Sequence, residues 1–459
     1  MNSRSPRGFA FVPLSAVLLV VATARAQTPN PDWIPAVDAV VAEHLTKPGA
    51  VGFSVGIAQH GHVLLDKAYG LAEVEHRVAA TPWTRFRIGS VTKQFAAALV
   101  MRLVEQGKVA LDDPLERFVT VFPLQGKRVT VQMLLEHTSG IPSYTDLGEE
   151  WQKVWPLELS HEELLALVAG KPFDFEPGTD WHYDNTGYYL LGMLLENVHG
   201  MPFAEVVQRE IASPLQLRHT LYDDQRALIA DRAQGYGFVD GKLCNDLHLG
   251  MSQPGAAGGL LSTGGELVRW SMALAGGEVV SPASYRRMTT PCVLPDGRDT
   301  GYGFGLMVGD FDGRRTVQHG GGIFGFNSEL LHVVDDDLHV AVISNGERVS
   351  AAKLAEAIVR EVLAIPAFVP KDLPLPAELR DALVGEYALD IGMVLAVTAN
   401  GDRLRAQGKA EEQAAFELLW QGEREFRAAF DPSVKIVFGE GGATLELHQG
   451  GGVFVGKRR

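Results

Sequence analysis

Cysteine is scarce in this sequence. Its 459 residues include two cysteines, Cys244 and Cys292. A single possible pair in so long a chain excludes a small disulfide-stapled fold, and the two thiols can either form one bridge or stay free. The length instead predicts a large hydrophobic core and a second domain.

Basic residues are fewer than acidic residues in this sequence. There are 41 Lys and Arg residues against 56 Asp and Glu, which gives a formal net charge of −15 at pH 7. Such a surface repels nucleic acid and anionic lipid, so neither is expected as a partner. No H-E-x-x-H motif occurs, and the H-x-H pair His60 and His62 falls at a predicted hairpin turn. These histidine patterns therefore indicate no metal site.

Long apolar runs are absent except at the start of the sequence. Residues 9–24 form an apolar run of 16 residues, which is shorter than the ~20 residues that a membrane-spanning helix needs. Arg4 and Arg7 precede the run, and Ala24-Arg25-Ala26 offers a cleavage site between small residues. Residues 1–26 are therefore predicted to be a signal peptide. We expect an exported protein, periplasmic or secreted, with no membrane anchor after cleavage.

Apolar periodicity along the remaining chain predicts an α+β fold. Helices are predicted at 33–45 and 351–363, and strands at 51–58, 62–69, 303–308, 316–319, 324–334 and 338–344. Between residues 90 and 254 the pattern is mainly helical. Strands at both ends of this unit predict one antiparallel sheet, flanked by the terminal helices and carrying a helical insertion.

A cluster of prolines marks a predicted domain boundary. Four prolines fall between Pro366 and Pro376, a composition typical of stiff linkers. Beyond them, short alternating runs such as 393–399 and 403–407, joined through Asn400-Gly401, predict a small barrel or sandwich of antiparallel strands. The predicted organisation is a signal peptide (1–26), a catalytic domain (27–365), a linker (366–376) and an all-β domain (377–459).

Two S-x-x-K patterns occur, Ser90–Lys93 and Ser350–Lys353. At both positions the serine could simply cap a helix. Lys353 has Glu356 as an i+3 partner on an exposed face, whereas the helical neighbours of Lys93 are apolar and include no acid. A buried lysine without a counter-charge has a lowered pKa and can accept a proton. Ser90 is therefore the candidate nucleophile, with Lys93 as its activator.

Two further motifs follow in the chain. Tyr183 and Asn185 form the single Y-x-N pattern, which alone could equally be a turn beside a core tyrosine. His319 and Gly321 form an H-x-G pattern at the end of a predicted strand, where a run of three glycines permits close backbone approach. Two other H-x-G matches, at His248 and His448, lack this strand context.

In this order the three motifs resemble those of the penicillin-recognising serine hydrolases. That family comprises class C β-lactamases, D-alanyl-D-alanine carboxypeptidases, and related esterases and D-aminopeptidases. Further matches lie at 134–141, 177–188, 257–260 and 267–270. Residues 383–387 resemble part of the lipocalin-like β-barrel domain that is appended to some members.

The resemblance implies a β-lactamase-like fold and an acyl-serine mechanism on an ester or amide, such as a D-amino-acid peptide, a small ester or a β-lactam. Ser90 would attack the carbonyl group. Lys93 and Tyr183 would share the proton transfers, in an order that the sequence leaves open. The backbone N–H groups of Ser90 and Gly322 would form the oxyanion hole. The mechanism implied by this resemblance calls for no metal and no organic cofactor.

The substrate-binding residues that the resemblance implies are Asn185, His319 and Gly321. The family's commoner third motif, K-T-G, is replaced here by His319 and Gly320, which removes a positive charge and a hydroxyl group. This substitution weakens a β-lactam assignment and favours a neutral ester or an amide without a free carboxylate. Asp184 would disfavour anionic substrates if it faced the site.

Two alternatives remain. Residues 52–56 match the G-x-S-x-G nucleophile elbow, but a second strand rather than a helix is predicted after Ser54, so we interpret this match as a coincidence. A non-enzymatic alternative is an acylatable sensor or binding module of the same fold.

Overall fold

The computed structural model describes residues 31–366, 368–389, 393–409, 414–449 and 452–459. The predicted signal peptide, 1–26, lies outside the described residues. Within the described part of the chain, no helix is both long enough and apolar enough to cross a membrane.

Helices and strands alternate through the larger unit of the chain, whose elements are as follows. The α-helices are α1 (Ile34–Leu45), α2 (Thr92–Glu105), α3 (Val131–Leu135), α4 (Glu149–Gln152), α5 (His161–Ala169), α6 (Asn185–His199), α7 (Phe203–Val207), α8 (Gly255–Gly258), α9 (Gly264–Ala275), α10 (Pro282–Met288) and α11 (Ala351–Val362). The strands are β1 (Gly52–Gln59), β2 (His62–Glu73), β3 (Val78–Ala79), β4 (Phe86–Arg87), β5 (Leu221–Tyr222), β6 (Tyr236–Val239), β7 (Lys242–Asn245), β8 (Leu260–Ser262), β9 (Met307–Phe311), β10 (Arg314–Ile323), β11 (Phe326–Val333) and β12 (Leu338–Ser344).

The main sheet confirms the predicted antiparallel architecture. Its seven strands run in the order β3-β2-β1-β12-β11-β10-β9, so the two ends of the unit meet between β1 and β12. The terminal helices α1 and α11 pack on one face and bury an apolar cluster there. The helical insertion covers the other face with a second cluster. Because β1 and β12 are buried on both faces, they appear in the sequence as apolar runs without clear alternation.

One predicted strand is partly wrong. The strand expected at 303–308 begins at Met307, and the residues before it form a loop. Gly305 in that loop has a φ of +67°, and a Cβ atom there would lie 2.7 Å from the carbonyl oxygen of Lys93. The glycine thus lets the loop backbone rest directly on α2, a tertiary contact that apolar periodicity does not reveal.

The C-terminal unit is a closed barrel, as the all-β prediction required. A short helix, α12 (Ala377–Leu383), which was not predicted, precedes eight strands that close in sequence order. They are β13 (Gly385–Leu389), β14 (Val394–Asn400), β15 (Arg403–Gly408), β16 (Phe416–Gly422), β17 (Glu425–Ala428), β18 (Asp431–Phe438), β19 (Thr444–Gln449) and β20 (Gly452–Arg458). The barrel has its own apolar core, and Leu383 of α12 belongs to it.

The contacts between the two units include polar and charged side chains. Lys353 Nζ of α11 lies 2.5 Å from Asp431 Oδ2 of the barrel. This pairing corrects the predicted partner of Lys353, which was Glu356. The Arg427 guanidinium lies over the ring of Phe368, 4.4 Å from its centroid.

Both cysteines are unbridged. Cys244 is exposed on β7, and Cys292 is half-buried in the loop after α10. Of the two alternatives that the sequence left open, the structure therefore has two free thiols.

Candidate active site

Ser90 lies in a 3₁₀ turn, Gly89–Val91, that leads directly into α2. The N-cap residue of α2 is Val91, which has no side-chain cap, so Ser90 does not cap the helix as the simpler alternative proposed. Its Oγ atom instead lies 3.0 Å from Nζ of Lys93. Gly89 has a φ of +48°, and a Cβ atom there would lie 2.9 Å from the backbone nitrogen of Gly322. This close approach brings β10 beside the turn that carries Ser90.

The Lys93 amine is enclosed by the protein. Its side chain is fully buried, and no described Asp or Glu forms an ion pair with it. Nζ donates to Oδ1 of Asn185 at 2.7 Å and to the carbonyl oxygen of Ala257 at 2.9 Å. Burial lowers the pKa of Lys93 well below its ordinary value, although the charge of Asp184 acts in the opposite direction. Burial therefore favours the neutral form of the amine.

A neutral amine has two N–H bonds and one lone pair. At Lys93 both N–H bonds are directed at oxygens that can only accept, those of Asn185 and Ala257. The third neighbour of Nζ is the hydroxyl of Ser90, 3.0 Å away. In the neutral state the lone pair is thus left for the Ser90 O–H group, which can donate its proton to Nζ.

Tyr183 lies beside this pair. Its ring centroid is 4.7 Å from Nζ of Lys93. Burial raises the pKa of the phenol, while its interaction with the Ser90 hydroxyl acts in the opposite direction. The phenol therefore keeps its proton at neutral pH and is available as a donor.

The other two residues of the Y-x-N motif point in different directions. Asn185 is the first residue of α6, and its Nδ2 donates to Oγ1 of Thr145 at 3.0 Å, which fixes Oδ1 toward Lys93. Asp184 is the N-cap of α6 and accepts the Gly187 N–H at 2.9 Å. Burial raises the pKa of Asp184 to about 7. Asp184 serves the helix terminus and does not line the cleft, so it is not the anion-repelling group considered above.

His319 is buried on β10 behind Tyr183. Its Nδ1 donates to the carbonyl oxygen of the next residue at 2.6 Å, which leaves Nε2 to accept the Tyr302 O–H at 3.0 Å. Burial lowers the pKa of His319 to about 3, so the ring is neutral. Both ring nitrogens have partners inside the protein, and direct contact of His319 with substrate stays a prediction. A Cβ atom on Gly321 would lie 2.1 Å from the Ile88 carbonyl oxygen, so Gly321 permits the contact between β10 and the Ser90 turn.

Several aromatic residues near Lys93 were not singled out from the sequence. The His137 ring centroid lies 4.4 Å from that of Tyr183 and 4.7 Å from that of Tyr302. His137 accepts the Asp184 N–H at 3.0 Å, and burial lowers its pKa well below the ordinary value. These rings come from distant segments and pack around Tyr183, beside the fully buried Lys93 side chain. His137 lies in the 134–141 match, which hinted at its importance without giving its role.

A cleft of about 440 Å³ opens over Ser90. Rings form much of its wall: the centroids of Trp151 and Trp155 are 5.5 Å apart, and those of Trp155 and Phe324 are 4.8 Å apart. Of the described residues that line it, Glu347 is the one acid, and none is Lys or Arg. The cleft therefore combines an apolar wall with a single acidic side chain among its described lining residues.

Ser54, the serine of the alternative motif, is fully buried in β1. Its hydroxyl accepts the Gly264 N–H at 2.9 Å, and β1 continues through it in pairing with β2 and β12. The residue has no access to a substrate, which confirms that the G-x-S-x-G match is a coincidence.

Comparison with known proteins bears on this site. Residues 37–363 match the protein-family model described as Beta-lactamase, which is well over half of the chain. The chain belongs to the Beta-lactamase family. The family resemblance derived from the three motifs is thereby confirmed.

Relatives of this chain include a penicillin-binding protein and a D-aminopeptidase. Penicillin-binding protein 4* of Bacillus subtilis (strain 168) is 27% identical over 421 residues, which cover 84% of this chain and 90% of that protein. D-aminopeptidase of Gluconobacter oxydans (strain 621H) is 28% identical over 357 residues, which cover 74% of this chain and 63% of that enzyme. These relatives support a hydrolase.

Solved structures give the same result for the fold. An octameric penicillin-binding protein homologue from Pyrococcus abyssi aligns with a TM-score of 0.66 and 27% identity, covering 92% of this chain and 100% of that one. A D-stereospecific amidohydrolase from Streptomyces sp. aligns with a TM-score of 0.62 and 27% identity, covering 73% of this chain and 100% of that one. The first alignment spans nearly the whole chain, which includes the barrel.

Proposed function

We propose that this protein is a serine hydrolase that cleaves an ester or amide through an acyl-Ser90 intermediate. The observation that carries the proposal is the bonding of the Lys93 amine. Nζ lies 2.7 Å from Asn185 Oδ1, 2.9 Å from the Ala257 carbonyl oxygen and 3.0 Å from Ser90 Oγ. In the neutral form its two N–H bonds therefore go to the first two oxygens, and its lone pair faces the Ser90 hydroxyl. An amine held in this way is ready to accept a proton and cannot easily turn away from the serine.

In this proposal Lys93 takes the Ser90 proton as Oγ attacks the substrate carbonyl carbon. The backbone N–H groups of Ser90 and Gly322 stabilise the resulting oxyanion. Tyr183, whose phenol stays protonated, gives a proton to the departing amine or alcohol. Water then attacks the acyl-enzyme, and its proton returns to the site as Ser90 is released.

The cleft favours substrates without a carboxylate. Its described lining contains Glu347 but neither Arg nor Lys, so an anionic substrate would meet repulsion and find no counter-charge. The rings of Trp151, Trp155 and Phe324 offer apolar surface to a bulky side chain. The named activities of the D-aminopeptidase and the D-stereospecific amidohydrolase point the same way. We therefore propose amides or esters of apolar D-amino acids as the substrate class.

We also propose that the protein is exported. The proposal depends on the predicted signal peptide, 1–26, with its basic start, apolar run and small-residue cleavage site. Intact-mass measurement of the protein recovered outside the cytoplasm should give a chain that begins near Gln27. A full-length mass confined to the cytoplasm would contradict this.

The test of the hydrolase proposal compares the purified wild type with Ser90→Ala and with Ser54→Ala as a matched control. The substrates are D-phenylalanine amide, D-alanine amide, D-Ala-D-Ala, a p-nitrophenyl ester and a chromogenic cephalosporin. We expect hydrolysis of the neutral amide or ester by wild type and by Ser54→Ala, and none above background by Ser90→Ala. Intact mass spectrometry should find an acyl adduct on wild type and on Ser54→Ala but not on Ser90→Ala.

Two results would overturn this proposal. If wild type and Ser90→Ala hydrolysed every substrate equally, Ser90 would not be the nucleophile. If an adduct formed on Ser90 but persisted without turnover, the protein would be an acylatable sensor rather than a hydrolase.

A further inference from the structure

One end of the main sheet holds a pair of histidines that the proposed reaction does not use. His332 of β11 and His339 of β12 are directly opposite each other in the antiparallel register. Their rings are stacked, with centroids 3.9 Å apart and planes 13° from parallel. Both Nε2 atoms face the carboxylate of Asp337 in the connecting turn, at 4.0 Å for His332 and 3.4 Å for His339. The potential ligand atoms of the three residues all lie within 4.8 Å of one another.

Both rings are held from behind by hydroxyl groups. His339 Nδ1 lies 2.8 Å from Oγ of Ser271, and His332 Nδ1 lies 3.4 Å from the hydroxyl of Tyr285. The buried Nε2 of His332 has no hydrogen-bond partner among the described residues. A buried polar atom left without a partner is costly, so this nitrogen is an unsatisfied group that points into the cluster.

The charges around the cluster leave Asp337 open to a cation. Its neighbour Asp336 pairs with Arg314 at 2.9 Å, whereas the ion-pair contacts of Asp337 within the described chain are with histidines only. Exposed His60, from the turn between β1 and β2, places Nδ1 3.7 Å from Oδ2 of Asp337. Arg315 also acts electrostatically on His332, and its guanidinium donates to a backbone carbonyl at 2.7 Å.

We propose that His332, His339 and Asp337 form a binding site for a divalent transition-metal ion such as Zn²⁺, with His60 as a fourth ligand from the solvent side. Two imidazoles and a carboxylate are a common donor set for this ion. The hydroxyl groups behind the rings supply the orienting contacts that metal-binding histidines require. Asp337 and His60 are exposed, which gives the ion a path of entry.

Binding of a metal ion at this site requires one local movement. Parallel stacked rings direct their Nε2 lone pairs along parallel lines, so one ring must turn for both to meet a single ion. His332 is the ring that can turn, because its hydroxyl contact, at 3.4 Å, is the longer of the two. That rotation would also satisfy its unpartnered Nε2 atom.

The site is separate from the proposed nucleophile. His332 lies four residues along β11 from Ser328, whose hydroxyl donates to the Ile88 carbonyl beside the Ser90 turn. At 3.3 Å per residue this is a separation of roughly 13 Å. The ion would therefore stabilise the hairpin end of the sheet without taking part in acyl transfer.

The test uses the full-length, tag-free protein and Co²⁺ as a spectroscopic probe. Titration should produce visible absorption bands of Co²⁺ in a low-symmetry site at one equivalent, and Zn²⁺ should remove them. Asp337→Asn should weaken Co²⁺ binding by at least about tenfold, and asparagine tolerates the left-handed backbone of this position, φ 47° and ψ 41°. Asp335→Asn, in the same turn and with the same change of charge, is the control and should alter binding by less than about threefold.

His332→Gln gives a second reading, because glutamine keeps a polar group but removes the proposed ligand. Its melting temperature should no longer rise on addition of Zn²⁺, whereas that of wild type should. The proposal is overturned if Co²⁺ gives no bands at millimolar concentration. Equal weakening by Asp337→Asn and Asp335→Asn would overturn it too, because it would reveal nonspecific attraction to an acidic turn.

Discussion

The two S-x-x-K segments have the same spacing and opposite structures. At Ser350, the serine is the N-cap of α11, and its Oγ accepts the backbone N–H of Lys353 at 3.3 Å. The Lys353 side chain is 59% exposed and pairs with Asp431. At Ser90, the serine hydroxyl faces the amine of Lys93, which is completely buried. In the first segment the serine hydroxyl accepts a backbone N–H group, and in the second it faces the lysine amine and is available for the proposed reaction.

The difference arises from where each helix begins. When the serine is the N-cap, the residue three positions later presents its backbone N–H to the hydroxyl, and capping follows. A 3₁₀ turn precedes α2, so the N-cap of α2 is Val91 and the Ser90 hydroxyl does not cap the helix. Burial then keeps the lysine of this segment away from the acidic partners that an exposed lysine would find. The reactivity expected of an S-x-x-K motif therefore depends on where the helix begins and on whether the lysine is buried. The spacing of the two residues does not determine it.

The largest difference between the two segments is expected when each lysine is replaced in turn. Lys93→Met should lower kcat/KM by roughly 10³-fold, since a positioned acid or base contributes about 10² to 10⁴. Lys353→Met should leave kcat/KM within about twofold, because its amine is in solvent at the edge of the barrel. Steady-state kinetics on the most active neutral amide or ester measure both. Comparable losses in the two variants would show that Lys93 has no special role.

A second change gives Lys93 the counter-charge that Lys353 already has. In Asn185→Asp, a carboxylate replaces the amide oxygen 2.7 Å from Nζ. An adjacent negative charge favours the ammonium form, so the pKa of Lys93 should rise and the neutral base should appear only at higher pH. We expect kcat/KM to fall roughly 10²-fold near neutral pH and to recover as the pH increases.

The control for this change is Asn185→Ala, which removes the same contact without adding charge. It should lower the rate without displacing the pH profile toward higher pH. If Asn185→Asp had the pH profile of wild type, the amine would not be the group whose protonation limits the reaction.

A third change separates capping from catalysis. Ser350→Ala should lower the free energy of unfolding by about 1 kcal/mol, because an N-cap hydrogen bond is lost. Ser350→Asn should restore it, since asparagine is an equally good cap. Ser90→Ala removes no cap, so its stability loss should be smaller while its activity disappears. Denaturant unfolding of the three variants provides the measurement, and a larger loss for Ser90→Ala would reverse our assignment of the two serines.

Local patterns made much of the fold predictable. The strand expected at 338–344 has those limits, because a turn rich in acids precedes a mainly apolar run that is buried on both faces. The helix expected at 351–363 agrees to within one residue, since Ser350 and an apolar stripe define it. The strand expected at 303–308 failed at Gly305, where the backbone is shaped by contact with α2 rather than by its own sequence.

At the candidate active site, too, local patterns predicted some residues and tertiary packing placed the others. Ser90 and Lys93 lie one turn apart at the start of α2, so the spacing together with the apolar neighbours of Lys93 made their proximity predictable. His137 and Tyr302 pack against Tyr183 from segments far apart in the chain, and no local pattern could place them there. The cleft wall is assembled likewise from Trp155 and Phe324, which are distant in sequence. His319 was recognisable as part of a motif, but its burial behind Tyr183 depends on the packing of β10.

The smallest expected effect tests whether the Lys353 segment is as solvated as the comparison requires. Lys353 is 59% exposed and Asp431 is 16% exposed, so solvent screens much of their attraction. A double-mutant cycle with Lys353→Ala and Asp431→Asn should give a coupling of about 0.5 kcal/mol, because exposed ion pairs contribute little. Asparagine keeps the contact with Ser433 at the Asp431 position, so the cycle isolates the charge. A coupling well above about 1 kcal/mol would mean that this lysine also lies in an electrostatically dry position, where it links the barrel firmly to α11.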